Sequence, residues 1–255
     1  MIIRRAIDSV RTQDWPALFS ELVIVVLGIF IAIQADSWWQ HQDDLNQEAS
    51  YLSRLINDVT DDIGNIEYGI RLAALRKDLA DELIAAAENP DGVRKNPVKF
   101  LIAVHQSAYT FTPSLNSNTF EELRSTGNLA LLRSNDLKAA LFDYFRYDQS
   151  QRQYMSLQLM QEFRHFELVA GVLSTEQAKW VQDNLRIANP ERELTQETTG
   201  LEIDGIVEAA VRLSNMPEAI AWLPEARGMQ AELVTTHTSR LERAKALLAI
   251  LQNNG

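Results

Sequence analysis

Among the side chains able to do chemistry, the most suggestive spacing is Glu162-x-x-His165. Residues three apart on a helix share a face, so the carboxylate and the imidazole would converge on one point, as paired ligands do in di-metal carboxylate bundles. Such a site needs a second Glu-x-x-His and two further glutamates. The chain has no second copy of the motif, and the neighbouring Glu167 does not complete the set. The remaining histidines, His41, His105 and His237, are far apart in sequence. With no cysteine there is no thiolate metal site, no disulfide and no cysteine nucleophile. His-Glu-x-x-His, Gly-x-Ser-x-Gly and phosphate-cradling glycine-rich loops are also missing. Glu162 and His165 are thus a bare candidate metal pair; the reading assigns no catalytic residue and no cofactor. Tyr109, Phe111, Phe120, Tyr144, Phe145 and Tyr147 are candidate pocket residues, although aromatics at helical spacing more often fill a core. Arg124, Arg133 and Arg146 are candidate receivers for an anion, each with acidic neighbours that would satisfy it.

The elements that would carry these residues read as helices. Leu45, Leu52, Leu55, Ile56, Val59, Ile63, Ile66 and Ile70 recur at three-four spacing, and the stripe moves on to Leu72, Leu75, Leu79 and Leu83. Gly64 and Gly69 are candidate bend points, and Asn89-Pro90-Asp91-Gly92 ends the helix. A second helix is expected from Pro97 to about Phe111, where Thr112-Pro113 stops it. Asn118 or Thr119 opens a short helix that Gly127 terminates. Ser134 caps a helix running to about Val169, and Ser174-Thr175-Glu176-Gln177 is a capping box. Ile203 to Leu213 forms a short helix; Pro217 and Pro224 punctuate the entry to a last long one. Strand signals are almost absent, and Leu129 to Leu132 is a candidate for a stray extended piece. The fold class is all-α, a bundle of long antiparallel helices with shorter ones filling a side.

The N-terminal part has a different chemistry. Residues 17–39 include an uninterrupted apolar run from Leu22 to Ile33. Leu18 to Trp38 would rise about 30 Å, the thickness of bilayer hydrocarbon. Trp15 precedes this stretch and Trp38 and Trp39 follow it, where aromatic rings anchor at the two interfaces. No small-x-small cleavage site follows, so a retained transmembrane helix is expected rather than a cleaved signal peptide. Arg4, Arg5 and Arg11 lie before it and the first basic residue after it is Arg54. The positive-inside bias therefore predicts a cytoplasmic arm at 1–16, a span at 17–39 and an extracytoplasmic, periplasmic domain at 40–255 of an inner-membrane protein. An arm that short leaves no room for a cytoplasmic output module. Up to Ala35 three arginines balance Asp8, Asp14 and Glu21, so the formal charge of −11 belongs to the rest of the chain. That acidity disfavours nucleic acid as a partner.

One face of the span is distinctive. Glu21, Val25, Gly28, Ala32, Ala35 and Trp39 fall at four-three spacing. Gly28-x-x-x-Ala32 allows close approach of two helix backbones, and an ionisable group such as Glu21 tends to face protein rather than lipid. This stripe is expected to pack against a copy of itself or another membrane protein, with the bilayer covering the remaining faces.

The residues Glu21-Leu22, Val25-Val26-Leu27-Gly28-Ile29, Ala32-Ile33-Gln34 and Trp38 resemble the start of an uncharacterised bacterial family of single-pass membrane proteins. Two further stretches are similar to that family's patterns: Tyr51-Leu52-Ser53-Arg54-Leu55-Ile56-Asn57-Asp58 and Thr119-Phe120-Glu121-Glu122-Leu123-Arg124-Ser125-Thr126-Gly127-Asn128-Leu129. Ser20 and Asp36 depart from it, standing where Gly and Asn are common. The resemblance implies an architecture and no activity. The leading expectation is accordingly a non-enzymatic scaffold or accessory subunit. The alternative is a periplasmic small-ligand sensor that signals through a partner's membrane helix, and a metal-dependent enzyme comes third.

Overall fold

A computed structural model describes residues 15–152, 155–184 and 200–254 of the chain. All described elements are helical, and no strand occurs among the described residues. In order they are α1 (Trp15–Glu88), a 3-10 turn (Pro90–Lys95), α2 (Pro97–Gln106), α3 (Asn118–Thr126), a second 3-10 turn (Asn128–Ala130), α4 (Asn135–Arg152), α5 (Met155–Leu168), α6 (Thr175–Asn184), α7 (Ile203–Ser214) and α8 (Pro217–Asn254). Two compact units divide the chain, Met1–Tyr51 and Leu52–Gly255, and α1 contributes to both.

In the first unit the helix is apolar and bare. Leu22, Ile24, Val25, Phe30, Ile31 and Ile33 are all exposed, and Trp38 and Trp39 meet edge to face at its far end. It is one helix long and apolar enough to cross a membrane. Its polar end is stitched by i,i+4 bonds from Gln40 to Asp36 and from Gln47 to Asp43.

In the second unit α1 buries a seam. Leu52, Leu55, Val59, Asp62, Ile66, Gly69, Ala73, Arg76, Ala80 and Leu83 alternate at three and four residues, the spacing that keeps one stripe facing a partner helix. The same rhythm runs along α8 through Ala226, Gln230, Leu233, His237, Arg240, Ala244, Leu247 and Leu251. Asp81 pairs with Arg227 and Glu67 with Lys245, so α8 climbs as α1 descends: the two long helices are antiparallel. The main apolar core gathers Leu79 and Leu83 of α1, nearly all of α2, and Ile206, Ala209 and Leu213 of α7. Val93 of the first 3-10 turn, Val172, and Val181 of α6 close it.

Local signals set most of the boundaries. Asn96 caps α2 by accepting from the Lys99 amide at 3.1 Å, and Pro97 takes the first helical position, where a missing N–H costs nothing. Ser134 receives the Leu137 amide. The capping box closes both ways: Gln177 N–H donates to Ser174 Oγ, and Ser174 N–H to Gln177 Oε1. Gly127, at φ 79°, ends α3 in the left-handed conformation that a side chain resists.

Three expectations are corrected. The second helix stops at Gln106 rather than Phe111, because the carbonyls of Ser107, Tyr109, Phe111 and Pro113 find partners on α8 instead of a helical ladder. Leu129–Leu132 is not extended; Asn128–Ala130 tightens into a 3-10 turn after Gly127. Pro224 lies inside α8 rather than at its entry, in a helix that forfeits one backbone bond there and continues. The candidate bend points Gly64 and Gly69 lie within α1, which runs on past both to Glu88. The helix expected from Ser134 to Val169 is described as α4 and α5, with residues 153–154 outside the described residues.

Gly69 has a packing role instead. A Cβ at this position would lie 2.8 Å from Cγ of Pro113, a rigid ring, and 3.2 Å from Cδ2 of His237, whereas one at Gly64 would meet nothing within 4 Å. Gly64→Ala is therefore expected to stabilise the protein by about 0.5–1 kcal/mol through helix propensity. Gly69→Ala is expected to destabilise it by about 1–3 kcal/mol through overpacking. Urea unfolding of the two variants checks the opposite signs.

Candidate functional site

The non-helical segment after α2, residues 107–116, forms a strap among three helices. Ser107 and Ala108 are fully buried, so the strap's backbone polar groups need partners inside the protein. The helix α8 supplies them on one side. Gln230 Nε2 donates to the carbonyls of Ser107 (3.1 Å) and Tyr109 (2.7 Å). His237 Nε2 meets the Phe111 carbonyl at 2.9 Å, and Arg240 Nη2 donates to that of Pro113 at 2.9 Å. Every second carbonyl is taken, which is the alternation of an extended chain. The helix α5 holds another side. Glu162 Oε2 accepts from both the amide and the hydroxyl of Thr110, each at 3.1 Å. Gln158 Oε1 accepts from the Thr112 hydroxyl. His165 Nε2 lies 3.1 Å from the Val104 carbonyl and 3.4 Å from Ser107 Oγ.

The helix α1 completes the cage through three seam positions seven residues apart. Asp62 accepts from the Asn116 amide at 2.7 Å and from the Tyr144 hydroxyl at 3.0 Å. Gly69 makes room for Pro113. Arg76 donates to Gln106 Oε1 at 3.3 Å, and its guanidinium carbon sits 5.8 Å from the centre of the Tyr109 ring. Asp58 adds a bond from the Asn116 side-chain amide at 2.8 Å.

Glu162 and His165, the candidate metal pair, thus share a face and are both engaged by the strap. Among the described residues no group of three or more His, Asp or Glu side chains gathers as a metal site would require. The candidate aromatics do not form one pocket. Phe120 stacks on Phe145 at 4.5 Å, and Tyr144 meets Phe145 edge to face. Arg243 lies over the Tyr147 ring. Only Tyr109 and Phe111 reach the larger cavity, of about 610 Å³, which they line with Tyr68, Leu72 and Arg76 of α1, and with Gln158, Leu159 and Glu162 of α5. A second cavity, of about 480 Å³, includes His237 and Arg240 among its lining. Arg124 pairs with Glu121 at 2.7 Å and Arg146 with Asp143. Of the span residues, Val25, Gly28, Ala32 and Ala35 are exposed on α1, as are Trp38 and Trp39; the side chains of Trp15 and Glu21 lie outside the described residues.

Arg76, Gln106, Gln230 and Arg240 are the residues that a reading of the sequence alone passes over. Their signal is a polar residue at a position where the heptad rhythm calls for an apolar one. Asp62, Arg76, Gln230, His237 and Arg240 all interrupt apolar seams in this way, and all are buried.

An all-α fold with, among the described residues, one membrane-length helix and a strapped helical unit is the class that this geometry defines. The chain belongs to a family of unknown function, DUF6090, whose model matches residues 21–182. No curated protein and no solved structure matches it. The matched region contains α1 from Glu21 onward, the strap, and the two stretches at 51–58 and 119–129. In the structure those stretches touch: Arg54 donates twice to the Glu122 carboxylate, at 3.1 and 2.5 Å.

Burial pushes His165 and His237 down to about 4. Neighbouring His105 and Arg240 lower them further, and the carbonyl bonds only partly oppose this. The unfolded chain, with histidines near 6.5, then binds more protons than the folded one as the pH drops below 6.5. Stability is full above pH 6.5 and is lost as pH falls towards 4, by on the order of 3 kcal/mol per histidine. Chemical denaturation from pH 7.5 to 4.5 is expected to show this slope, made shallower by His237→Gln. Gln230→Met, of similar volume, leaves two buried carbonyls unpaired and is expected to cost about 2–4 kcal/mol at neutral pH.

Proposed function

We propose that this protein is a non-enzymatic single-pass inner-membrane scaffold or accessory subunit. Its span packs against another helix, and its folded unit is presented on the periplasmic side. The observation that carries the reading is the contrast along α1. Between Leu22 and Trp39 its large apolar side chains are exposed, while from Leu52 onward it is the seam of a packed unit. Exposed apolar surface of that extent needs a cover. A bilayer covers most of the helix, and a second helix fits the Glu21, Val25, Gly28, Ala32 and Ala35 face, where small residues let backbones approach. The arginines ahead of the span favour a cytoplasmic N-terminus. The partner is a second copy of the chain or another membrane protein.

A second reading, a small-ligand sensor coupled to a partner's membrane helix, is favoured by one observation, the cavity beside the strap.

Because the chain has no cysteine, single-cysteine variants report cleanly. In native membranes Gly28→Cys is expected to crosslink several-fold more efficiently than Phe30→Cys, which points the opposite way on the helix. Gln252→Cys is expected to react with a membrane-impermeant maleimide in spheroplasts. Equal crosslinking from both faces would remove the packing claim, and protection of Gln252→Cys would reverse the orientation.

A further inference from the structure

The cavity beside the strap holds a buried guanidinium that is bonded to no carboxylate among the described residues. Arg76 is only 4% exposed, and among those residues its one hydrogen bond is a 3.3 Å contact with the neutral amide of Gln106. Its Nε has no partner, and among the described residues no carboxylate forms an ion pair with it. A guanidinium has five donors, and burying it without a counter-ion is expensive. Removal from water lowers Arg76 to about 10, and the Glu162 carboxylate acts on it only through space, in the opposite direction.

Glu162 does not pair with Arg76 because Thr110 pins it. Both Thr110 donors go to Oε2, and Oε1 has no hydrogen bond among the described residues. The cavity therefore offers an unfilled guanidinium and an unfilled carboxylate oxygen. The same cavity is lined by the apolar and aromatic side chains of Tyr68, Leu72, Tyr109 and Phe111, with Tyr68 and Phe111 set edge to face at 5.4 Å. At about 610 Å³ the volume falls within the roughly 300–1,000 Å³ of small-molecule sites. A simple anion in this space would meet repulsion from Glu162, and a simple cation repulsion from Arg76. A molecule carrying both charges meets neither, and its ammonium also gains from the aromatic faces.

We propose that this cavity binds a small zwitterion of the amino-acid class with an apolar or aromatic side chain, its carboxylate on Arg76 and its ammonium on Glu162. The site is separate from the membrane-packing reading: the crosslinking pattern decides that one, and ligand titration decides this one.

The test is titration calorimetry and thermal unfolding of the full chain in detergent micelles. The probes are L-phenylalanine and L-leucine, with 3-phenylpropionate, which lacks the amine, and phenethylamine, which lacks the carboxylate. At least one amino acid is expected to bind and, at saturation, to raise Tm by about 5 °C or more. Each single-charge analogue is expected to bind about tenfold or more weakly. Arg76→Gln is expected to weaken the amino acid by about tenfold or more. Glu162→Gln is expected to weaken the amino acid but strengthen 3-phenylpropionate, a crossover that a merely structural role would not produce. Should Arg76→Gln fail to fold, Leu72→Trp, which fills the cavity, is expected to abolish binding. The proposal is overturned if neither amino acid binds, if a single-charge analogue binds as well as the amino acid, or if binding survives Arg76→Gln or Leu72→Trp.

Discussion

A non-helical peptide buried between helices is tolerated only if its amides and carbonyls find partners, because each orphan costs about 1–3 kcal/mol. That constraint organises the second unit of this protein. The strap from Ser107 to Asn116 lies among α1, α5 and α8, and each helix devotes buried or half-buried side chains to it: Asp62 and Asp58 on α1, Gln158 and Glu162 on α5, Gln230, His237 and Arg240 on α8. The apolar core of α2 and α7 with the distal half of α1 is conventional by comparison. What the strap adds is specificity of register. A helix sliding by one turn along its neighbour would keep most of its apolar contacts and lose this polar ladder.

The sequence makes the helices legible and the strap nearly invisible, and the reason is physical. Helical periodicity comes from apolar residues facing one side, and the runs from Leu52 to Leu83 and from Ala226 to Leu251 show it plainly. Caps at Ser134 and Ser174 and the glycine stop at Gly127 act within a few residues, so they too can be read locally. The partners of the strap are separated by 46 to 127 residues, as with Thr112 and Gln158 or Pro113 and Arg240, and no local pattern announces such pairs. For this reason Glu162-x-x-His165 reads as a ligand pair in one dimension and turns out, in three, to be two rungs of the same ladder. The candidate site is half legible: Tyr109 and Phe111 stand out as aromatics, while Arg76 looks like a surface arginine until the heptad rhythm is traced through it.

Membership of a family without a known function leaves architecture as the firmest common ground. The two family-like stretches meet through Arg54 and Glu122, an exposed pair about 40–45% accessible and worth roughly 0–1 kcal/mol. The neighbouring residues Leu55 and Leu123 are fully buried and do more for stability.

The alternation of the strap also fixes its length. Its odd-numbered carbonyls, from Ser107 to Pro113, turn towards α8, while the amide and hydroxyl of Thr110 and the hydroxyl of Thr112 turn towards α5. Deleting or inserting one residue between Tyr109 and Phe111 would turn every side chain beyond it to the opposite face, taking the Thr112 hydroxyl away from Gln158 and the Phe111 and Pro113 carbonyls away from His237 and Arg240. Most connections in a helical bundle tolerate changes in length. Here a loop has acquired the indel intolerance of a central β-strand, and chain length along this segment is as much a part of the molecule's code as the identity of any residue in it.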